Sequence, residues 1–384
     1  MYKFVFSHDA HVTEPEDLLS RNLPEKFKPD MLRIVREGDK VLYKSADKVL
    51  FHLKLKGDIS RSENVEKPIP GVFPGGYDIA FRLQEMEKSG VDSSIIYNGL
   101  IGFAYALAPA PGIAHMQVFN DWCIDHFKGF ANTFVANAML PAYDPQTTMK
   151  EFVRVLGMGY RSVMLPINPP DDVPRYSDKI WDPVWSMCED AGIPMTMHSG
   201  TSKLPIRYHG DGAACMNHYT HGLDAQEALA LMVVSGVFDR HPKLKVVNTE
   251  AGADWLAWSG EHLDEVYKTH NFYVQPKLSR LPSEYLYSQV IATTHRERAC
   301  FQNLNITGSD CVIWSDDYPH AEGTYPHTRQ ILGDLFDGID VATNVQEQIV
   351  GGTCAHLYGL DAAAAAIEKE HFWAQHPQRR AQHA

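Results

Sequence analysis

The feature that most limits the fold is a unit that recurs along the chain. Each copy is a short, almost continuously apolar run, then a loop, then a helical pattern. The runs are YKFVFSHDAH near the N-terminus, SSIIYN (93–98), NTFVANAML (132–140), RSVMLP (161–166), IPMTMHSG (193–200), KLKVVNTE (243–250) and CVIWSDDYPH (311–320). Helical stretches such as AFRLQEMEKSGVD, WDPVWSMCEDAG and DAQEALALMVVSGVFDRHP lie between them. A strand that alternates apolar and polar residues has one wet face; these runs do not alternate, so both faces are buried, as in a parallel sheet. Repeated β–α alternation leaves a doubly wound sheet or a barrel. Seven runs, with an eighth near 272–276 (FYVQP), make a (β/α)8 TIM barrel the expected α/β fold.

A chain of 384 residues that is 44% hydrophobic can fill such a core in one domain, expected over 1–370. Two segments exceed a minimal barrel. Residues 18–77 are polar, Lys-rich and punctuated by Pro and Gly, and read as an insertion after strand 1 with a small hairpin. Residues 201–222 read as a long Gly/His-rich loop after strand 5, and 371–384 as a frayed tail.

Composition excludes several function classes. Against 48 acidic residues stand 35 Lys and Arg, a net charge of -13, and the densest basic stretch is the pair Arg379–Arg380. That argues against binding nucleic acid or an anionic membrane. No run of 18 apolar residues exists, and the N-terminus lacks the pattern of a signal peptide. Six scattered cysteines, with no CxxC pair, suggest reduced thiols in a cytoplasmic protein.

The chemistry is read from what ends each run. Asp9 and His11 end the first, His198 ends IPMTMHSG, Glu250 ends KLKVVNTE, and Asp316 and Asp317 follow CVIWS. In a barrel these C-terminal strand ends meet at one mouth, where active sites form. Period-2 geometry puts Asp9 and His11 on the same side of their strand, so they can share one ion. Imidazole and carboxylate together favour Zn2+, Mn2+ or Fe2+. Any one of these residues also has a structural reading: His198 as a core histidine, Asp317 as a helix cap, Glu250 as an ion-pair partner. Their joint placement at successive strand ends is what points to a metal centre. Arg82, Trp255 and His320 are candidates for substrate binding, and Trp258, Phe73 and Tyr77 for aromatic pocket walls. Each has surface or packing as its plainer role.

HDAHVTEP, RLQEMEKSGVD, IWDPVWSMCEDAGIPMTMHSG, FDRHPKLKVVNTEAGADWL and WSDDYPHAEGTYP together resemble the amidohydrolase superfamily. The similarity is to its second branch, which contains aminocarboxymuconate-semialdehyde decarboxylase and related aromatic-acid decarboxylases, and it spans nearly the whole chain. The resemblance implies a metal-dependent enzyme acting on a small molecule, and a homodimer. It places Asp9 and His11 in the strand-1 HxH positions, His198 as the strand-5 ligand, and Asp317 rather than Asp316 as the strand-8 aspartate that binds metal and accepts a proton from bound water. The chain departs from the pattern in two ways. An aspartate replaces the first histidine, which shifts the expected ion toward Mn2+. Glu250 stands where the decarboxylases carry a strand-6 histidine, which removes a proton relay and admits a second ion beside a mononuclear site. Two reactions follow. The first expectation is hydrolysis of an amide, ester, thioacid or lactone by metal-activated water, with Asp317 or Glu250 as base and His198 beside them. The second is nonoxidative decarboxylation of an aromatic or enol acid. A barrel that binds metal without catalysis is the third.

Overall fold

The computed structural model describes residues 2–38, 40–54, 74–201, 208–320 and 322–382. The barrel strands are β1 (Phe6–Ser7), β5 (Ser93–Ile96), β6 (Phe134–Ala136) with β7 (Ala138–Met139), β8 (Val163–Pro166), β9 (Met195–His198), β10 (Val246–Thr249), β11 (Val290–Thr294) and β12 (Val312–Trp314). All their pairings are parallel, in the orders β1-β5-β6 and β7-β8-β9-β10-β11-β12. β6 and β7 are one strand interrupted at Asn137, whose side chain donates to Thr196 Oγ1 at 2.8 Å, two strands away. The other seam closes where His8 N–H donates to Trp314 C=O (3.2 Å) and His11 N–H to Tyr318 C=O (2.6 Å). Eight strands therefore close on themselves, as expected from the βα repeat.

The eighth strand is not FYVQP. Residues 272–276 form an exposed turn, with Phe272 82% and Tyr273 61% accessible. The missing strand is β11, a fully buried β-branched run, VIATT. It follows the helix Pro282–Gln289 with no intervening residue. In sequence, YLYSQVIATT therefore reads as one apolar segment with no boundary.

Among the described residues, each expected irregular segment is more ordered than its composition suggests. The insertion carries an antiparallel sheet, β2 (Leu32–Glu37), β3 (Lys40–Ser45) and β4 (Lys48–Lys54), instead of a single hairpin. Tyr43 and Phe51 of that sheet pack on Phe103, in the 3-10 turn Leu100–Ala106 that follows β5. Phe73 lies outside the described residues. Of the stretch expected as a loop after strand 5, residues from Ala213 onward already belong to the helix Ala213–Val234. Gly222 in that helix lies close to the Ala251 backbone, 3.4 Å from where its Cβ would sit, and so brings the helix against the segment after β10. Residues 202–207 lie outside the described residues. The expected frayed tail is helical through Gln382. Asp361 caps the helix Ala362–Gln375, Gln84 Nε2 donates to the carbonyls of Arg379 (3.2 Å) and Arg380 (3.3 Å), and Arg379 pairs with Asp78. No described helix is long and apolar enough to cross a membrane.

The chain's last barrel helix is preceded by one π-helical turn, Gln348–Gly352, packed on β1. At Gly351 an added Cβ would sit 2.4 Å from Phe4 C=O, so only glycine lets this turn lie against the first strand. Gly351→Ala should destabilise the fold by about 1–3 kcal/mol. Urea denaturation against wild type checks this, and unchanged stability would mean the turn does not bear on β1.

Candidate metal centre

The parallel register carries the strand ends to one level. Thr249 of β10 pairs with His198 of β9, and His11 bridges Tyr97, one residue past β5. The side chains that follow from this placement converge. Asp9 Oδ1 lies 3.2 Å from His11 Nε2 and 3.2 Å from His198 Nε2. The two Nε2 atoms are 3.1 Å apart, and Asp317 Oδ1 is 3.5 Å from His11 Nε2. Asp9, His11, His198 and Asp317 are all buried. Two donor atoms at ~2.1 Å from one ion, ~90–110° apart, lie about 3.0–3.4 Å from each other. The observed spacings match that requirement.

Hydrogen bonds fix which nitrogens face inward. His11 Nδ1 donates to Asn98 C=O at 2.8 Å, and His198 Nδ1 to Ser199 C=O at 2.7 Å. With both rings neutral, the proton sits on Nδ1 and the Nε2 lone pairs point at each other. Two lone pairs at 3.1 Å repel unless a proton or a metal ion lies between them. The same arrangement, a ligand histidine tied down through its other nitrogen, is what orients imidazoles on metals. Asp9 Oδ2 and Asp317 Oδ2 are buried without a hydrogen-bond partner among the described residues, which a cation would remedy.

The charges tell the same story. Burial alone would raise the Asp9 carboxyl, but the charge on His198 and the imidazoles around it hold it well below the usual range. Burial would lower His198, yet Asp9 and Glu250 push it up to about 9. His320 is pushed up to about 10 against its burial, mainly by Asp317. Glu250 is raised to about 8 by burial and by Asp317. The pocket thus gathers carboxylates that demand positive charge, and protons on histidines meet that demand when no ion does. Glu250 (φ 61°) and Asp317 (φ 51°) both adopt the left-handed backbone that non-glycine residues avoid. Such strain concentrates at functional sites.

Below the cluster the barrel interior is polar. Tyr97 packs its ring on His198, centroids 4.7 Å apart, and its hydroxyl shares a 2.8 Å hydrogen bond with Thr249. Thr249 Oγ1 lies 3.4 Å from His8 Nδ1, and His8 Nε2 lies 2.5 Å from the Tyr358 hydroxyl. His8 therefore points away from the ligand cluster, as alternation along β1 requires. Asp316 also turns away: its carboxylate accepts from Ser7 Oγ at 2.6 Å and its N–H donates to the same Oγ at 2.9 Å, binding β12 to β1.

The remaining candidates divide. Glu250 Oε2 is 3.4 Å from His198 Nδ1, at the edge of the cluster. His320 joins it: Nδ1 is 2.8 Å from Asp317 Oδ1 and the ring lies on His11, centroids 4.1 Å apart. Arg82 does not reach it. The guanidinium is buried, donating through Nη1 to His11 C=O (2.8 Å) and Gly75 C=O (3.0 Å) over the Tyr318 ring. It supports the strand that carries His11. Trp255 is also buried, its Nε1 donating to Gly252 C=O at 2.9 Å, and Trp258 and Tyr77 face solvent. Two features are absent from the sequence reading. His295, one residue past β11, places Nε2 3.6 Å from Asp9 Oδ2. Its strand was missed, so its strand-end position carried no signal. His218 and His221 line a cavity of about 160 Å3 with Ser199, Glu250, Thr293 and His295. In sequence they fall in the stretch that reads as a Gly/His-rich loop, where the structure has the helix Ala213–Val234.

The amidohydrolase family model, of the second branch, matches residues 96–360. The chain belongs to this amidohydrolase family. A 2-amino-3-carboxymuconate-6-semialdehyde decarboxylase from Dictyostelium discoideum is 23% identical over 299 residues, covering 74% of this chain and 77% of that protein. Among solved structures, an amidohydrolase from Mycobacterium avium subsp. paratuberculosis K-10 superposes with a TM-score of 0.73 at 21% identity, over 94% of this chain and 99% of that one. A dihydroxybenzoic acid decarboxylase from Polaromonas sp. JS666, with bound manganese and the inhibitor 2-nitroresorcinol, superposes with a TM-score of 0.61 at 15% identity, over 93% and 97%. The amidohydrolase barrel is thus shared over almost the full length.

Arg82→Met should destabilise the protein by about 2–4 kcal/mol, because it leaves two buried carbonyls unpaired. The KM of the folded fraction should be unchanged. A raised KM with unaltered urea stability would return Arg82 to substrate binding.

Proposed function

We propose that this amidohydrolase is a nonoxidative, metal-dependent decarboxylase of a small aromatic or enol carboxylic acid. The observation that carries the reading is the convergence of Asp9, His11, His198 and Asp317 at 3.1–3.5 Å beside a cavity of about 160 Å3. The space suits a small molecule, and its wall of Ser199, His218, His221, Glu250, Thr293 and His295 suits one that carries polar groups. The decarboxylases among the relatives support the same reaction, and weigh against the hydrolysis that the sequence put first.

In this reading one divalent ion, Mn2+ or Zn2+ with Fe2+ also compatible, is held by Asp9, His11, His198 and Asp317. When bound it supplies positive charge that orients a carboxylate and an adjacent hydroxyl or carbonyl oxygen. The protein's own residues do the rest. Asn98 and Ser199 carbonyls keep the two histidine rings turned inward. His320 steadies Asp317 at the cavity side. Glu250, next to His198 and Asp317, sets the charge at the cavity edge and faces the substrate. The single barrel domain, the homodimer and the cytoplasmic setting belong to the same reading.

Metal-loaded enzyme is expected to release CO2 from at least one acid in a panel of hydroxybenzoates and enol acids. His198→Ala should lose both bound metal, by elemental analysis, and turnover. Hydrolysis of esters or lactones with no CO2 from any acid would overturn the decarboxylase reading. A metal-replete, active His198→Ala protein would overturn the site.

A further inference from the structure

The hydrogen bond that orients His11 continues beyond its acceptor. His11 Nδ1 lies 2.8 Å from Asn98 C=O. A carbonyl oxygen only accepts, so Nδ1 carries the proton whatever the charge of the ring. The other side of that same peptide unit is Gly99 N–H, which donates to Glu14 Oε1 at 2.9 Å. The bond between Asn98 and Gly99 is trans, so its carbonyl and its N–H share one rigid plane and point in opposite directions. Glu14, one peptide plane and the His11 ring thus form a single file that ends at Nε2 in the ligand cluster. We propose that Glu14 is a positioning residue for His11, acting through the Asn98–Gly99 peptide, an assignment that rests on the metal-centre reading above.

Three observations carry it. First, the buried Glu14 carboxylate grips three consecutive N–H groups. Besides Gly99, Leu100 N–H donates to Oε2 at 2.9 Å and Ile101 N–H to Oε1 at 3.3 Å. The peptide plane cannot tilt without stretching these bonds. Second, position 99 has no room for a side chain. An added Cβ would meet Val12 C=O and sit 2.8 Å from Glu14 Oε2, so glycine is what lets the carboxylate lie this close to the plane. Third, the far end of the turn Leu100–Ala106 is anchored as well. Tyr43 and Phe51 pack on Phe103, and the Tyr105 hydroxyl donates to Leu140 C=O at 3.2 Å. The acceptor of His11 therefore belongs to a segment held at both ends.

A plainer role for Glu14 is to satisfy three buried N–H groups. A neutral side-chain oxygen would do that at a smaller desolvation cost, because a buried carboxylate is dearer than an amide or a hydroxyl. Burial raises the Glu14 carboxyl, and the N–H groups oppose it by favouring the charged form. What the charge adds is polarisation along the file. It draws on Gly99 N–H, which makes Asn98 C=O a stronger acceptor, which in turn draws on the Nδ1 proton and leaves Nε2 a better donor to a cation. A carboxylate bonded directly to a ligand histidine has this effect in many metal sites. Here one peptide stands between them.

The test strips the full chain of metal and titrates it with Mn2+, reading free ion by electron paramagnetic resonance, with urea stability of the metal-free protein measured beside it. Glu14→Gln keeps the size of the side chain but removes the charge and turns an NH2 group toward backbone donors. Its Kd for Mn2+ is expected to rise about 10–100-fold, the usual cost of losing such an outer partner. Glu14→Asp keeps the charge but stops one methylene short. It should give a smaller rise, and it carries the test if Glu14→Gln does not fold. In a His11→Gln background the Glu14 change should shift Kd by less than about twofold, because the residue it acts through is gone. A Kd that moves less than about fivefold in Glu14→Gln would overturn the assignment, however far urea stability falls. An equal shift with and without His11 would overturn it too, since Glu14 would then act through the fold at large. If wild type binds no Mn2+, the metal-centre reading fails and takes the assignment with it. If wild type binds and Glu14→Gln binds equally, only Glu14 is wrong.

Discussion

The centre depends on the seam between the first strand and the last. Sequence separates Asp9 from Asp317 by most of the chain, and only closure of the barrel brings them together. That closure is polar. His8 N–H reaches Trp314 C=O, His11 N–H reaches Tyr318 C=O, and Ser7 Oγ is held between the carboxylate and the N–H of Asp316. Consecutive aspartates thus take opposite tasks. Asp316 ties β12 to β1, and Asp317, in a left-handed backbone at φ 51°, turns its carboxylate into the mouth. Neither does the other's work, because the left-handed turn at Asp317 sends its side chain away from that of Asp316.

Once the seam is closed, the cluster is an energetic burden. Buried carboxylates without partners cost free energy unless positive charge meets them. His198 and His320, pushed up to about 9 and about 10 by the carboxylates beside them, answer part of that demand. A divalent ion would answer it with two positive charges at one point. The backbone strain at Glu250 and Asp317 points the same way. A glycine would relieve it at either position, but would remove the carboxylate for which the geometry exists.

The fold was legible because a parallel barrel writes its pattern openly: seven apolar runs were read, and all seven hold barrel strands. The eighth was lost for a physical reason. β11 starts on the residue after a helix ends, so no turn residue separates the two periodicities. That loss hid His295 as well, since the site was found by asking what ends each strand. Arg82 shows the opposite difficulty. A helix arginine near a binding motif can face either way, and what decides is the pair of backbone carbonyls at His11 and Gly75 that need donors. Those carbonyls exist only in the folded chain. The segment after β9 misled through composition: histidines and glycines read as loop, yet the helix begins at Ala213, before most of those histidines.

The polar column beneath the centre links its ligands to the end of the chain. Layers in such barrels are ordinarily filled by branched apolar side chains. Here Tyr97, Thr249, His8 and Tyr358 replace part of that filling with hydrogen bonds. A buried polar network is stable only when its members satisfy one another, and it then permits few alternative packings. Tyr358 ends the helix Thr353–Tyr358 and Tyr97 lies against the His198 ring, so the network fixes that ring from below while Ser199 C=O fixes it from the side. An apolar filling would keep the barrel closed but leave the ring free to rock about its Cβ. What the column adds is a fixed His198 ring, and that accounts for polarity in an interior that packing alone would fill with apolar side chains.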